Sequence, residues 1–443
     1  MLFRLSSTAA VLLVSCLATL PVYSQATDNW PQWRGPLGTG VAVDADPPTD
    51  WSETDNIRWK TKIPGRGHSS PIVWDDHVFL TAAIPVGPKL PPKPSGRPGA
   101  HDNLPVDSEY CFAVIAVDRK SGDVLWNKTV HQAIPIEGAH NTASLASASP
   151  VTDGKRVYAH FGTHGLHCLD FKGKTVWSKQ LGAMHTKHGH GEGSSPALFD
   201  DTLIINWDHE EQSFLTAIDT ATGKELWRRD RDEVTSWSTP LILDVDGRAQ
   251  VIVCGTERVR GYDLASGELV WQCGGLSANI VATPVAEDGI LYAGSSYEKR
   301  VIMAIQLSGS KGDITDSTQV HWTRSRGTPY VPSPLIYDGS LYYLTHYQNV
   351  MTRIEAKTGT DNPGAMRLGP LGDVYASPVG AAERVYVTDL DGVTLVLSHS
   401  DIPRMIAVNQ LGEKVSASAA VVGNEIFLRG DVHLFCIADA ESR

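Results

Sequence analysis

The chain of 443 residues lacks any run of five like charges and any Cys-x-x-Cys pair. Beyond its first 26 residues it also lacks an apolar stretch long enough to span a bilayer. Each absence removes a class of function. A formal charge of −12 with no basic patch gives no electrostatic grip on nucleic acid. The cysteine spacing matches neither a zinc site nor a disulfide framework. The aromatic residues, 8% of the chain, are spread along it, and the apolar residues come in short runs. That pattern belongs to a globular chain.

The N-terminus stands apart. "MLFRLSSTAAVLLVSCLATLPVYSQA" carries one Arg, then apolar residues, then small ones. It reads as a secretory signal over residues 1–24, cut after Ser24 with Val22 at the −3 position. "LVSC" ending at Cys16 also resembles a lipobox, which would make Cys16 a lipid anchor. The apolar "LATLPV" after it speaks for ordinary cleavage instead. The mature chain then keeps Cys111, Cys168, Cys254, Cys273 and Cys436. With an odd number, at least one thiol has no intramolecular partner.

What the sequence has in abundance is self-similarity. "HSSPIV", "SASPVT", "GSSPAL", "WSTPLI", "VATPVA", "VPSPLI", "YASPVG" and "SASAAV" recur in order, keyed by Pro71, Pro150, Pro196, Pro240, Pro284, Pro334, Pro378 and Ala419. After a first gap of 79 residues the spacing stays between 41 and 50, a propeller-blade period. Each period continues with an Asp-rich turn, two β-branched or aromatic runs, a turn such as "TATGK", and a run carrying Trp. Four antiparallel strands per repeat follow. The last repeat has no Trp run, whereas "NIRWKTKI" around Trp59 precedes the first. The expected fold is therefore all-β: an eight-bladed β-propeller of four-stranded antiparallel blades, closed by an N-terminal strand. Residues 25–56 are an N-terminal extension and 57–443 the propeller. The Pro-rich insertion 85–110 in blade 1 accounts for the long first gap.

"AVDRKSGDVLW" (Ala116 to Trp126), "AIDTATGKELW" (Ala217 to Trp227) and "GYDLASGELVW" (Gly261 to Trp271) resemble the pyrroloquinoline-quinone-type (PQQ-type) propeller repeat, A-x-D-x-x-T-G-x-x-x-W. The later blades lose the Asp and Trp. The resemblance covers roughly residues 57 to 443 and implies the fold. It spans a family that includes quinoprotein dehydrogenases and the BamB-type subunit of barrel assembly, so it leaves function open. The opening "WPQWRGPLGTGVA" is similar to that of secreted bacterial propellers of this type.

Repeat-equivalent residues read as scaffold: Trp59, Trp126, Trp177, Trp227, Trp271 and Trp322 as packing between blades. Asp118, Asp170, Asp219 and Asp263 read as turn-formers, and Cys168 and Cys436 as small core residues. Residues outside the repeat logic are candidates for function. In a meander, the connection from strand four to the next strand one shares a rim with the connection from strand two to strand three. That rim collects ten of the sixteen histidines. Its candidate ligand or partner residues are Arg66, His68, His140, His164, His185, His188, His190, Glu192, Asp208, His209, Trp237, Arg324, Tyr330 and Tyr375. The opposite turns are short Asp-Gly and Ser-Gly types.

"GAMHTKHGHGEGSSP" sets His185, His188, His190 and Glu192 within eight residues, the candidate metal set. Its glycines leave the backbone direction open, so a polar recognition loop is the rival reading. The function expected is an exported, non-enzymatic propeller, periplasmic or extracellular. It binds a protein partner or a small or carbohydrate ligand through the rim. The alternatives are a PQQ-dependent quinoprotein oxidoreductase and a metal-dependent hydrolase at the His cluster. The resemblance makes a vicinal cysteine pair and a calcium-holding Glu, Asn and Asp the marks of the former. The sequence has no vicinal cysteines, so PQQ is not expected, and a metal ion is the one open cofactor.

Overall fold

In the computed structural model, which describes residues 28–93 and 99–439, eight four-stranded antiparallel units stand in a ring. The signal region and Cys16 lie outside the described residues. Among the described residues no helix is long and apolar enough to cross a membrane.

Blade 1 runs Ile72–Trp74, His77–Val86, Glu109–Asp118 and Val124–Ala133 from channel to periphery. The innermost strands of blades 2 to 8 begin at Val151, Ala197, Leu241, Val285, Leu335, Val379 and Ala420. Second and third strands are pressed between neighbouring blades on both faces. Hence runs such as Thr202–Trp207 and Ser213–Asp219 are buried almost throughout. Fourth strands face solvent on one side and alternate, as Val320–Arg324 does.

Closure follows the orphan-strand expectation. Ile57–Lys62 pairs antiparallel with His433–Ala438, setting Trp59 opposite Cys436, and supplies the fourth strand of blade 8. The blade tryptophans are interblade clasps. Trp59, Trp126, Trp177, Trp227 and Trp322 donate from Nε1 to the carbonyls of Arg119, Phe171, Thr220, Leu264 and Ala356 on the following blade, at 2.8–2.9 Å. Each indole also lies against the glycine of that blade's turn; beside Trp227 it is Gly267, at φ +71°, where a Cβ would collide with the ring. Trp271 departs from the pattern and donates to Gln250 of its own blade, with the short strand Gly312–Asp313 paired parallel beside it. The repeat aspartates accept backbone N–H groups in the turns, as Asp118 does from Lys120 and Ser121.

The Ser-Pro segments form a second ring that the repeat pattern alone did not explain. The N–H of Ser70 donates to Ser149 Oγ, that of Ser149 to Ser195, of Ser195 to Thr239, of Thr239 to Thr283, of Thr283 to Ser333, of Ser333 to Ser377 and of Ser377 to Ser418, at 2.9–3.0 Å. A hydroxyl belt thus links consecutive blades around the channel. The proline that follows most of these residues has no N–H to offer, which blunts the inner strand edge.

The segment 28–56 crosses the channel end opposite the four-to-one loops. Trp30 pairs with Val73, Pro31 accepts the N–H of Thr152, Val41–Ala42 adds a parallel strand to blade 7, and Asp46 N–H donates to Gly423. Arg34 is buried there, donating to the carbonyls of Thr39, Pro334 and Pro378 at 2.7, 2.7 and 2.5 Å.

Candidate functional site

Because the extension seals one end, the channel becomes a blind funnel of about 530 Å³ opening on the long-loop rim. Trp33, next to the anchored Arg34, contributes to its lining from the sealed end. Hydroxyls of the belt, from Ser70, Ser149, Ser195, Thr239, Ser377 and Ser418, line the wall. Two chemically different sectors stand above them.

One sector is aromatic. Tyr330 stacks on His346 (centroids 4.5 Å, 11° between planes) and on Tyr297 (5.7 Å, 19°). His346 meets Tyr347 at 4.5 Å, and Tyr347 stacks on Tyr375 at 5.4 Å. Asn279 Nδ2 donates to the Tyr330 hydroxyl at 3.0 Å, while its buried Oδ1 has no hydrogen-bond partner among the described residues. Burial pushes the Tyr330 phenol above its ordinary value, so it remains a neutral hydrogen-bonding group at physiological pH.

The other sector is imidazole-rich. His140 and His190 rings lie 5.0 Å apart, His188 and His190 5.3 Å, and His101 lies 5.4 Å from His190 and 6.1 Å from His140. His101 comes from the insertion, which folds onto the rim: Asn103–Leu104 pairs with Ala139–His140, and Asn141 N–H donates to Asp102 O at 2.8 Å. Asn103 binds the next loop, with Nδ2 donating to the carbonyls of His188 and Gly189, and Oδ1 2.8 Å from His190 Nδ1. Burial lowers His190 to about 4 and His140 below its ordinary value, so both imidazoles are neutral at pH 7.

Of the fourteen candidate rim residues, His68, His140, His188, His190, Glu192, Trp237, Tyr330 and Tyr375 line the funnel. The other six lie elsewhere. Arg66 donates to Asn141 O at 2.9 Å and borders a side cavity of about 310 Å³ with Asp373 and Asp431. His164 stacks on Phe112 at 4.0 Å, inside the contact between blades 1 and 2. His209 is buried, with Nε2 3.0 Å from Gln212 O. Asp208 is buried in a two-point ion pair with Arg231 (2.8 and 3.1 Å) and accepts from Ser236. Arg324 joins Gly359 and Asp361 on the outer strands of blades 5 and 6.

The four clustered residues of "HTKHGHGE" divide. His185 turns to Glu137, at 3.1 Å. Glu192 borders the funnel but directs its carboxylate into the protein, accepting from the N–H of Thr163 (2.9 and 3.0 Å) and its hydroxyl (2.7 Å). Desolvation of this inward carboxylate pushes Glu192 up to about 7. A Cβ on Gly162 would overlap that carboxylate, so the glycine is a condition of its placement. His188 and His190 remain on the mouth. The residues missed by sequence reasoning include Trp33, Asp102, Asn279, Tyr297 and Tyr347 on the funnel wall. Trp33 had a signal in the conspicuous "WPQWRG"; the two tyrosines sit in two-to-three loops and had none.

A resident PQQ with calcium does not fit these residues. None of the described cysteines lies on the funnel wall, four of the five being buried inside the blades. Glu192, one of only three carboxylates on that wall, is committed to Thr163.

An eight-bladed ring with interblade Trp clasps and a blind channel defines the class of PQQ-like propellers. Residues 112–362 match the family described as outer membrane protein assembly factor BamB, and the chain belongs to that BamB-type propeller family. Among solved structures, BamB from Moraxella catarrhalis is 15% identical with a TM-score of 0.55, covering 81% of this chain and 99% of its own. Quinohemoprotein alcohol dehydrogenase ADHIIG from Pseudomonas putida HK5 is 10% identical with a TM-score of 0.57, covering 95% and 82%. The computationally designed Ika8 protein is 11% identical with a TM-score of 0.55, covering 85% and 99%. At these identities the likeness is one of fold. No curated protein sequence matches the chain.

Proposed function

We propose that the protein is an exported, non-enzymatic binding propeller whose funnel mouth takes a hydroxyl-rich ligand of carbohydrate type, free or carried on a protein partner. The observation that carries this reading is the lining itself. A sealed end with Trp33, a stacked tyrosine wall and a belt of Ser and Thr hydroxyls offer flat apolar faces beside many neutral hydrogen-bonding groups. Sugars present the same pairing of apolar face and hydroxyl edge. The leader-like N-terminus supports export, and the BamB-type family supports a protein as the bearer of the ligand.

The test is binding of the mature chain to an array of oligosaccharides, followed by calorimetry on the best of them. Tyr330→Ala and Tyr375→Ala are expected to weaken binding about tenfold or more each, since a lost ring contact of about 1.4 kcal/mol is a factor of ten. Arg324→Ala, on the outer strands, is expected to leave it unchanged. Saccharide binding that survives both tyrosine changes, or no saccharide binding at all, would count against the funnel reading.

A further inference from the structure

We infer that His101, Asp102, His140 and His190 form a binding site for a divalent transition metal of the zinc type, and that the metal pins residues 101–104 of the insertion at the funnel mouth. The site shares only His190 with the set suggested by "HTKHGHGE", and it does not depend on what occupies the funnel.

The geometry is the first argument. One ligand atom each from His101, Asp102 and His140 lies within 4.8 Å of the others. Tetrahedral zinc with metal–nitrogen distances of about 2.0–2.1 Å places imidazole centroids about 5 Å apart and ligand atoms about 3.4 Å apart. The centroids here stand at 5.0, 5.4 and 6.1 Å. For His101, Asp102 and His140, reaching coordination asks for closing the ligand-atom spacing by up to about 1.4 Å. The two residues that must move most, His101 and Asp102, have side chains 59% and 64% exposed, and coordination replaces the 3.1 Å contact between His101 Nδ1 and Asp102.

The second argument is orientation. A metal-bound imidazole usually donates its other ring N–H to an oxygen, which fixes the tautomer. His190 Nδ1 is 2.8 Å from Asn103 Oδ1, the oxygen end of an amide whose nitrogen is already committed to two carbonyls. Nδ1 must therefore be the donor, and Nε2 carries the lone pair. His140 Nδ1 lies 2.7 Å from Thr142 Oγ1 and accepts the Thr142 N–H at 3.3 Å; metal binding through Nε2 replaces that backbone contact with donation from Nδ1–H to the hydroxyl.

The third argument is topology. His101 and Asp102 belong to the insertion, His140 to the loop after blade 1, and His190 to the loop after blade 2. Three segments distant in sequence converge, already tied by Asn103–Leu104 pairing with Ala139–His140. A metal there converts a two-residue bridge into a fixed lid edge. Imidazole with carboxylate suits zinc and cobalt, whereas calcium and magnesium prefer all-oxygen sets.

The experiment uses the mature full chain, stripped with chelator and titrated with Zn2+ and, separately, Co2+. The expected result is one equivalent bound, with the visible absorption of tetrahedral Co2+ and a Zn2+-dependent rise in melting temperature. His101→Ala, on the exposed insertion, and His190→Ala are each expected to cost at least about tenfold in Zn2+ affinity. Asn103→Ala keeps every ligand but frees His190 and is expected to cost about 10- to 100-fold. His185→Ala and His433→Ala, whose rings pair with Glu137 and Glu413, are expected to change nothing. Folding of each variant is checked by its metal-free melting temperature against metal-free wild type. Absence of stoichiometric binding overturns the proposal, as does full affinity in a His101→Ala/His190→Ala double variant.

Discussion

Glu192 offers the sharpest quantitative test of how the rim is built. Its carboxylate turns inward against Thr163, and desolvation raises it from an ordinary 4.5 to about 7. Below pH 4.5 the group is protonated in folded and unfolded chains alike, and its contribution to stability is fully present. Between pH 4.5 and 7 the unfolded chain releases the proton while the folded chain keeps it, so stability falls as pH rises. The loss is complete above pH 7. A shift of about 2.5 units at 1.36 kcal/mol each makes it about 3 kcal/mol.

Glu192→Gln keeps an acceptor for Thr163 and has no charge to bury. The variant is expected to match wild type near pH 4.5 and to exceed it by about 3 kcal/mol at pH 8. Urea unfolding of both proteins across that range reads the difference directly. Using the difference also cancels Glu233, raised to about 7, and His160, lowered to about 4, because both are present in each protein. A difference that is flat with pH, or one that favours wild type at pH 8, would refute the inward, desolvated placement of this carboxylate.

Three further outcomes follow from the ring. Trp227→Ala removes an indole clasped between blades 3 and 4 and is expected to cost about 3–5 kcal/mol by urea titration; a cost below 1 kcal/mol would contradict the clasp. Removing residues 1–62 takes away the closing strand of blade 8 and the sealing extension, and the melting temperature is expected to drop by many degrees; an unchanged melting temperature would contradict closure by this strand. Under native conditions a thiol reagent is expected to label Cys111 first, since among the described cysteines it alone is not buried, and to reach Cys168, Cys254, Cys273 and Cys436 only on unfolding; recovery of two intramolecular disulfides by non-reducing mass analysis would contradict the free-thiol state.

The number of blades, their four strands, the closing role of Ile57–Lys62 and the clasping tryptophans were all legible in the sequence. Each is a local pattern copied around a ring. Once Trp126, Trp177 and Trp227 recur at one position, a single blade-to-blade contact explains all of them. The side of the ring on which the long loops gather was equally legible, because strand direction alone sets it.

What each loop residue does there was decided by the tertiary structure. "HTKHGHGE" reads as one cluster, yet Glu137 draws His185 outward and Thr163 draws Glu192 inward, both across blade boundaries. Asp208 is claimed by Arg231, and His164 by the face of Phe112. His101 reaches His140 and His190 only because the insertion folds back and Asn103 fastens it. Trp33 reaches the funnel only because Arg34 anchors the extension on Pro334 and Pro378, some 300 residues away in sequence. The repeats carry their structure in their own spacing. The loops are rich in glycine and free of periodicity, so their conformation is set by partners that no short window of the chain contains.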